Sequence, residues 1–239
     1  MESVVTLLTN ELSYCSIIKM NYMFSFILIG DKMVQIKKDK IRQTIENAAI
    51  DIFLEKGYLN TKMKDISEKA NISVGNIYIY FKNKESLFCT VLPQSFVDAF
   101  RNYNSNIFPI LTKAFFNNEQ NLERYIPNHK QVEDLIANRK RLLILLRCSK
   151  GTKYENLKEE ILENVIQREC SYLQKYNFAD NCRTTQNYKV IRMVFYNMLN
   201  MLLDSLEGDM NGDERRNVVR FAFKYNYDGF KRLLTEYTK

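Results

Sequence analysis

From about residue 39 to the C-terminus, apolar positions recur at intervals of three and four, the spacing of one buried helix face. Ile41, Ile45, Ala48, Ala49, Ile52 and Phe53 form the first stripe and predict a helix over Asp39–Lys56. Gly57 follows and can take the left-handed conformation that ends a helix, after which Tyr58 and Leu59 fold back toward the stripe. Thr61 is the expected N-cap of a two-turn helix whose buried side is Met63, Ile66 and Ala70. Asn71 stands where that helix must stop, and asparagine tolerates positive φ better than most residues. Ser73 caps a third helix, Val74–Phe81, with Val74, Ile77 and Tyr78 inward or partly inward. Asn83 caps a fourth helix that opens with Lys84 and Glu85. Two short helices separated by a turn of three or four residues make a helix-turn-helix.

The helical periodicity continues beyond this motif. Pro93 lacks a backbone donor and is expected to kink or break the fourth helix, whose stripe resumes at Phe96, Val97, Phe100, Tyr103 and Ile107. Ile110, Leu111, Ala114, Phe115 and Phe116 predict a short helix after Pro109, and His129 falls in a polar loop near Pro127. Val132–Cys148 reads as one helix, and the run from Leu142 to Leu146 is apolar on all sides, which marks it as central. Thr152 and Glu155 read as a capping box opening a helix to about Tyr176, followed by a loop over Asn177–Thr185. Two long helices, Gln186–Leu206 and Asp213 to about Tyr237, flank a Gly208–Gly212 turn. The first has two apolar sides, one with Val190, Val194 and Met201, the other with Ile191, Phe195, Met198 and Leu202. The last repeats the pattern with Val218, Val219, Phe221, Ala222, Tyr225 and Phe230. Two apolar faces call for two neighbours, one in the same chain and one that a second chain can supply. The fold class is therefore all-α: an N-terminal helix-turn-helix domain over residues 33–84, then a helical domain over 85–239.

Residues 1–32 form an atypical extension. Leu12–Gly30 is apolar but interrupted by Lys19 and Asn21, and its clean part is shorter than the roughly 20 residues a spanning helix needs. Three readings stand: upstream sequence before a true start at Met33, a helix packed on the body or on a partner subunit, or a peripheral membrane anchor. Net charge is +7, and between Lys32 and Leu92 eleven lysines and arginines face seven acidic residues. That balance favours an acidic partner such as DNA or a membrane surface. The five cysteines form no CxxC pair, and the single histidine is His129. No metal cluster, nucleophile–base pair or glycine-rich phosphate loop is visible, so enzyme chemistry, cofactors and metals find no support. The cysteines read as reduced, mostly buried residues of a cytoplasmic protein.

The N-terminal end of the second helix of such a motif enters the major groove, and here it offers Ser73, Gly75 and Asn76. The stretch from Phe53 to Leu87 resembles the DNA-binding domain of TetR/AcrR-type transcriptional regulators. The likeness runs through FLEKGY at 53–58, TKMKDIS at 61–67 and ANISVGNIYIYFKNKESL at 70–87. Asn71 stands where that family usually has glycine, and Ser67 where alanine is common. Leu146–Glu160 is also similar to a subset of the same family.

The resemblance implies a homodimer that packs through its last two helices, with Met198, Met201, Leu202 and Phe221 central, and reads a pseudo-palindromic operator in double-stranded DNA. Base edges would meet Lys62, Ser73, Gly75, Asn76 and Ile77, with Asn76 suited to adenine and Lys62 to guanine or phosphate. Tyr78, Tyr80 and Lys84 align with phosphate-binding positions. A small apolar or amphipathic effector would bind the second domain and release repression. Its candidate contacts are Phe96, Phe100, Tyr103, Phe115, Phe116, Leu143, Arg147, Tyr172 and Phe195. The rival readings are a DNA-binding regulator without a small effector and a membrane-surface protein using residues 1–30.

Overall fold

The protein is described here by a computed structural model, which describes residues 38–102, 127–175 and 186–237. The described chain is helical throughout, with ten helices and no strand among these residues. They are α1 (38–60), α2 (Met63–Ala70), α3 (Val74–Tyr80), α4 (Lys84–Val91), α5 (94–102), α6 (His129–Ala137), α7 (Arg139–Arg147), α8 (Leu157–Lys175), α9 (Gln186–Leu206) and α10 (Gly212–Tyr237). The chain divides into two compact units, one up to Asn47 and one from Ala48 onward. In the first unit the described residues are the opening turns of α1, stiffened by an Arg42–Glu46 ion pair at 3.0 Å and a Gln43–Asn47 hydrogen bond at 3.1 Å.

In the second unit, the later part of α1 carries Ala48, Ala49, Ile52 and Phe53 into the core, as its stripe predicts. The helix runs on past Lys56 to residue 60, although Gly57 does take the left-handed conformation at φ 72°. Tyr58 folds back as expected, its ring 5.8 Å from Phe53 and 4.8 Å from Phe88. Leu59 instead stays exposed. Thr61 does not cap α2. It is buried, and its Oγ1 donates to the Gly57 carbonyl at 2.7 Å, closing α1. The N-cap of α2 is Lys62, whose backbone N–H donates to Asp65 Oδ2 at 2.7 Å.

Pro93 breaks the fourth helix: α4 ends at Val91 and α5 starts at residue 94. The helix expected over Val132–Cys148 is two helices, because Asn138 turns the chain and ties its own side chain back to the Asp134 carbonyl at 2.9 Å. His129 is the first residue of α6 rather than part of a loop, since Asn128 and Gln131 form a reciprocal cap ahead of it. The Thr152–Glu155 box also takes another form. Thr152 Oγ1 donates to the Ser149 carbonyl at 2.7 Å, Glu155 accepts from the Gly151 N–H at 3.0 Å, and the helix begins only at Leu157.

Leu142–Leu146 are all buried, so α7 is central as its sequence predicts. It packs on α8 and α9, α9 packs on α8 and α10, and α6 packs on α10. Helices α8 and α9 run antiparallel. They are bridged by Lys158–Asn200 at 2.7 Å, Arg192–Glu159 at 3.0 Å and Tyr188–Glu163 at 2.9 Å. At the turn after α9, the buried guanidinium of Arg215 donates to the carbonyls of Leu206 at 2.7 Å and Gly208 at 2.7 Å. The first is a carbonyl that a helix end leaves without an intrahelical partner, and the second belongs to the turn that follows.

Cys89 and Cys148 are free, but Cys170 is disulfide-bonded, against the expectation of reduced cysteines. Sequence spacing does not reveal the Cα approach a disulfide needs. Among the described residues no cluster of histidine, cysteine and acidic side chains could hold a metal, and no helix is long and apolar enough to cross a membrane. The extension over residues 1–32 lies outside the described residues.

Candidate nucleic-acid interface

The reading surface is built by a short turn. At the end of α2, Asn71 adopts φ 54°, ψ 43°, the one positive φ outside glycine among the described residues. Its N–H reaches the carbonyls of Glu68 and Ser67. Ser67 then closes the turn from its side chain, donating to the Ile72 carbonyl at 2.6 Å, while the Ile72 N–H donates to the Ser67 carbonyl at 3.1 Å. The hydroxyl at position 67, where the resembled family commonly has alanine, thus holds the turn. Ser73 Oγ accepts from the Asn76 N–H at 3.3 Å and caps α3, as expected.

Helix α3 is anchored by Ile77 and, just past its end, Phe81, both buried. The opposite side is open. Gly75 and Asn76 are exposed, and a Cβ built on Gly75 would meet no atom within 4 Å. Packing among the described residues therefore does not require glycine there. Tyr78 is 49% exposed and Tyr80 is half-buried. Lys62 is exposed at the head of α2, and Lys82 just beyond α3.

Two of the expected DNA contacts sit elsewhere. Ile77 has no exposed surface and belongs to the core, so it offers nothing to a base edge. Lys84 turns its ammonium inward, donating to the carbonyls of Tyr58 at 2.7 Å and Thr61 at 2.8 Å, with the Tyr58 ring 4.3 Å below it. It closes the C-terminal end of α1, where unpaired carbonyls and the helix dipole favour a cation. The N-terminus of α4 that it vacates is closed by Asn83, which accepts from the Ser86 N–H at 2.7 Å. The sequence reading missed Ile79, which is 76% exposed. Its signal is an apolar residue two places from Ile77, on the side of α3 away from the inner stripe.

The geometry agrees with the comparisons. Residues 45–90 match the model for the family described as bacterial regulatory proteins, tetR family. The likeness of this segment to the tetR family is confined to the N-terminal helices α1 to α4. The HTH-type transcriptional regulator YfiR of Bacillus subtilis, itself uncharacterized, is 34% identical over 64 residues, 27% of this chain. The biofilm operon icaADBC negative transcriptional regulator IcaR of Staphylococcus epidermidis is 35% identical over 104 residues, 40% of this chain. The chain spans less than two thirds of these curated relatives, 31% of the first and 52% of the second. A solved TetR/AcrR-type regulator of Aquifex aeolicus aligns over 81% of this chain and 99% of its own, at 20% identity and a TM-score of 0.39. That overlay is too loose to transfer geometry to the second half of this chain.

The expected effector contacts scatter among several roles. Leu143 and Phe195 are buried, and Phe195 packs its ring 5.6 Å from Phe230. Phe96 and Phe100 are half-buried on α5. Arg147 is engaged by acidic residues of α9 and the turn after it, with Asp204 at 2.6 Å and Glu207 also bound. It braces α7 on α9 instead of waiting for a ligand. Tyr103, Phe115 and Phe116 lie outside the described residues, as does the side chain of Tyr172. Of the expected dimer contacts, Met198, Met201 and Leu202 are half-buried, and Phe221 is 68% exposed. Phe221 shares a stripe of α10 with exposed Val218 and Tyr225.

Proposed function

We propose that this protein is a DNA-binding transcriptional regulator, a homodimer that represses from a pseudo-palindromic operator and is released by a small apolar or amphipathic effector. The observation that carries the reading is the open face of α3, held rigid by Ile77 and Phe81 and flanked by exposed Lys62 and Lys82. In a helix-turn-helix that face is the one that meets base edges. Residues 33–84 are then the DNA-binding domain, with Lys62, Ser73, Gly75 and Asn76 toward the bases and Tyr78 and Tyr80 toward phosphate. Residues 85–239 bind the effector and dimerise. Dimerisation is supported by the exposed stripe of Val218, Phe221 and Tyr225, since exposed apolar stripes mark interfaces. Repression is supported by the name of the S. epidermidis relative, a negative regulator.

Selection of binding sites from a pool of random duplexes by the full chain tests this. The expected product is two inverted half-sites about 10 base pairs apart, or a multiple of that spacing. Affinity should fall steeply with salt. A pool that shows no enrichment would sink the regulator, and a single unrepeated half-site would sink the dimer.

A further inference from the structure

Ile79 is the most exposed of the large apolar side chains among the described residues, at 76%. It sits on a helix that is otherwise firmly placed: Ile77 is buried two residues before it, and Phe81, buried two residues after it, donates its N–H to the Ile77 carbonyl at 3.0 Å. Helical residues four apart stack on one face, so Ile79 lies one turn beyond Gly75, whose Cβ position is open. The outermost line of α3 therefore begins with bare backbone and ends with a branched aliphatic group. Gly75 lets the helix come close to an opposing surface, and Ile79 is the side chain such an approach would cover. Along the chain it stands between exposed Asn76 and Lys82, with exposed Tyr78 and half-buried Tyr80 on either side, both aromatic rings with a polar hydroxyl tip, and Lys62 is exposed at the head of α2. A single aliphatic group in such a setting does not form the contiguous apolar patch of a protein partner.

We infer that Ile79 is a specificity-determining residue that packs on the C5-methyl group of a thymine in the major groove. The inference rests on the regulator reading above. The thymine methyl is the one apolar group that the major-groove base edges present, and aliphatic side chains are its ordinary partners. Ile79 is three residues from Asn76, so their Cβ atoms are about 5–6 Å apart. Base pairs rise about 3.4 Å. The thymine therefore lies within two base pairs of the adenine that Asn76 would read. Each half-site of the operator carries one such thymine.

The test uses the full chain and the duplex it selects. Each thymine is replaced in turn by deoxyuridine, which removes only the methyl group, and affinity is read by fluorescence anisotropy. One symmetry-related thymine pair is expected to be sensitive, with a loss of about fourfold per half-site, the worth of one buried carbon. Ile79→Ala should bind the unmodified duplex more weakly and show no further loss with deoxyuridine at that position. Its circular dichroism and melting temperature should match the parent, because the side chain is exposed. Sequence-selective binding with no sensitive thymine overturns the inference and leaves the regulator standing. So does a sensitivity that persists unchanged in Ile79→Ala. Undiminished DNA binding by Ile79→Ala together with a shifted oligomeric state would assign the residue to a contact between chains. Failure to bind any duplex overturns both readings together.

Discussion

Asp65 shows how much one side chain can hold in a domain this small. Its carboxylate accepts from the Lys62 N–H at 2.7 Å and pairs with Lys56 Nζ at 2.9 Å, so it starts α2 and ties it to α1 at once. The hydrogen bond from the Lys62 backbone, then that from the Lys56 side chain, hold the Asp65 carboxyl below its ordinary pKa. A depressed carboxylate contributes stability that is complete above the unfolded-state value, about 3.9, and is lost as pH falls from there through the folded-state value. Asp65→Asn should therefore lower the melting temperature at neutral pH, with the gap to the parent constant above pH 5 and closing below pH 4. A gap that does not change with pH would mean that the ionised carboxylate contributes nothing. The pairing of Lys56 with Asp65, nine residues apart across a turn, was not legible in the sequence. The cap at Ser73 and the left-handed Asn71 were, because each depends only on its immediate neighbours.

At the scale of elements, the end of α1 is the joint on which the domain depends. Tyr58 donates its N–H to the Cys148 carbonyl at the end of α7, at 2.8 Å, and Asp51 pairs with Lys140 of α7 at 2.6 Å. Lys84, the first residue of α4, closes the same helix end from the other side. Burial pushes its pKa below the ordinary lysine value, so the site bears a desolvation cost that its bonds to carbonyls must offset. Lys84→Met should cost about 1.5–3 kcal/mol in urea unfolding, the range for hydrogen bonds to a charged group. The salt dependence of DNA binding should not change. A phosphate contact by Lys84 would instead flatten the log–log salt slope by about 0.9 for each copy lost. The family resemblance implies the phosphate role, and a lysine at the head of a helix looks solvent-facing until the end of α1 is seen to lie beside it.

At the scale of the molecule, α9 and α10 bury one side against their own chain through Ile191, Phe195, Val219, Ala222 and Phe230. They leave Val218, Phe221 and Tyr225 outside, with Phe221 and Tyr225 stacked at a centroid distance of 6.3 Å. A charge in the middle of that stripe would be desolvated on association at a cost of several kcal/mol. Phe221→Glu is thus expected to leave the fold intact and give a monomer by light scattering, with operator affinity falling at least tenfold. A dimer that survives this substitution would place the interface elsewhere.

Hydrophobic spacing alone determined the all-helical class, the helix-turn-helix and the end of α9 at Leu206, because each depends on contacts three or four residues apart. The centrality of α7 was equally visible, since an all-round apolar run has no solvent face. The tertiary structure decided which polar groups are already engaged. Ile77 and Ile79 are the same residue type two places apart, yet one is core and the other lies open. Lys84 and Arg147 read as ligand-facing cations, but each is held by groups distant in sequence. The outcomes for the two cations depend on where another helix ends, which residue spacing along one chain segment does not record, whereas the inward side of Ile77 followed from its spacing.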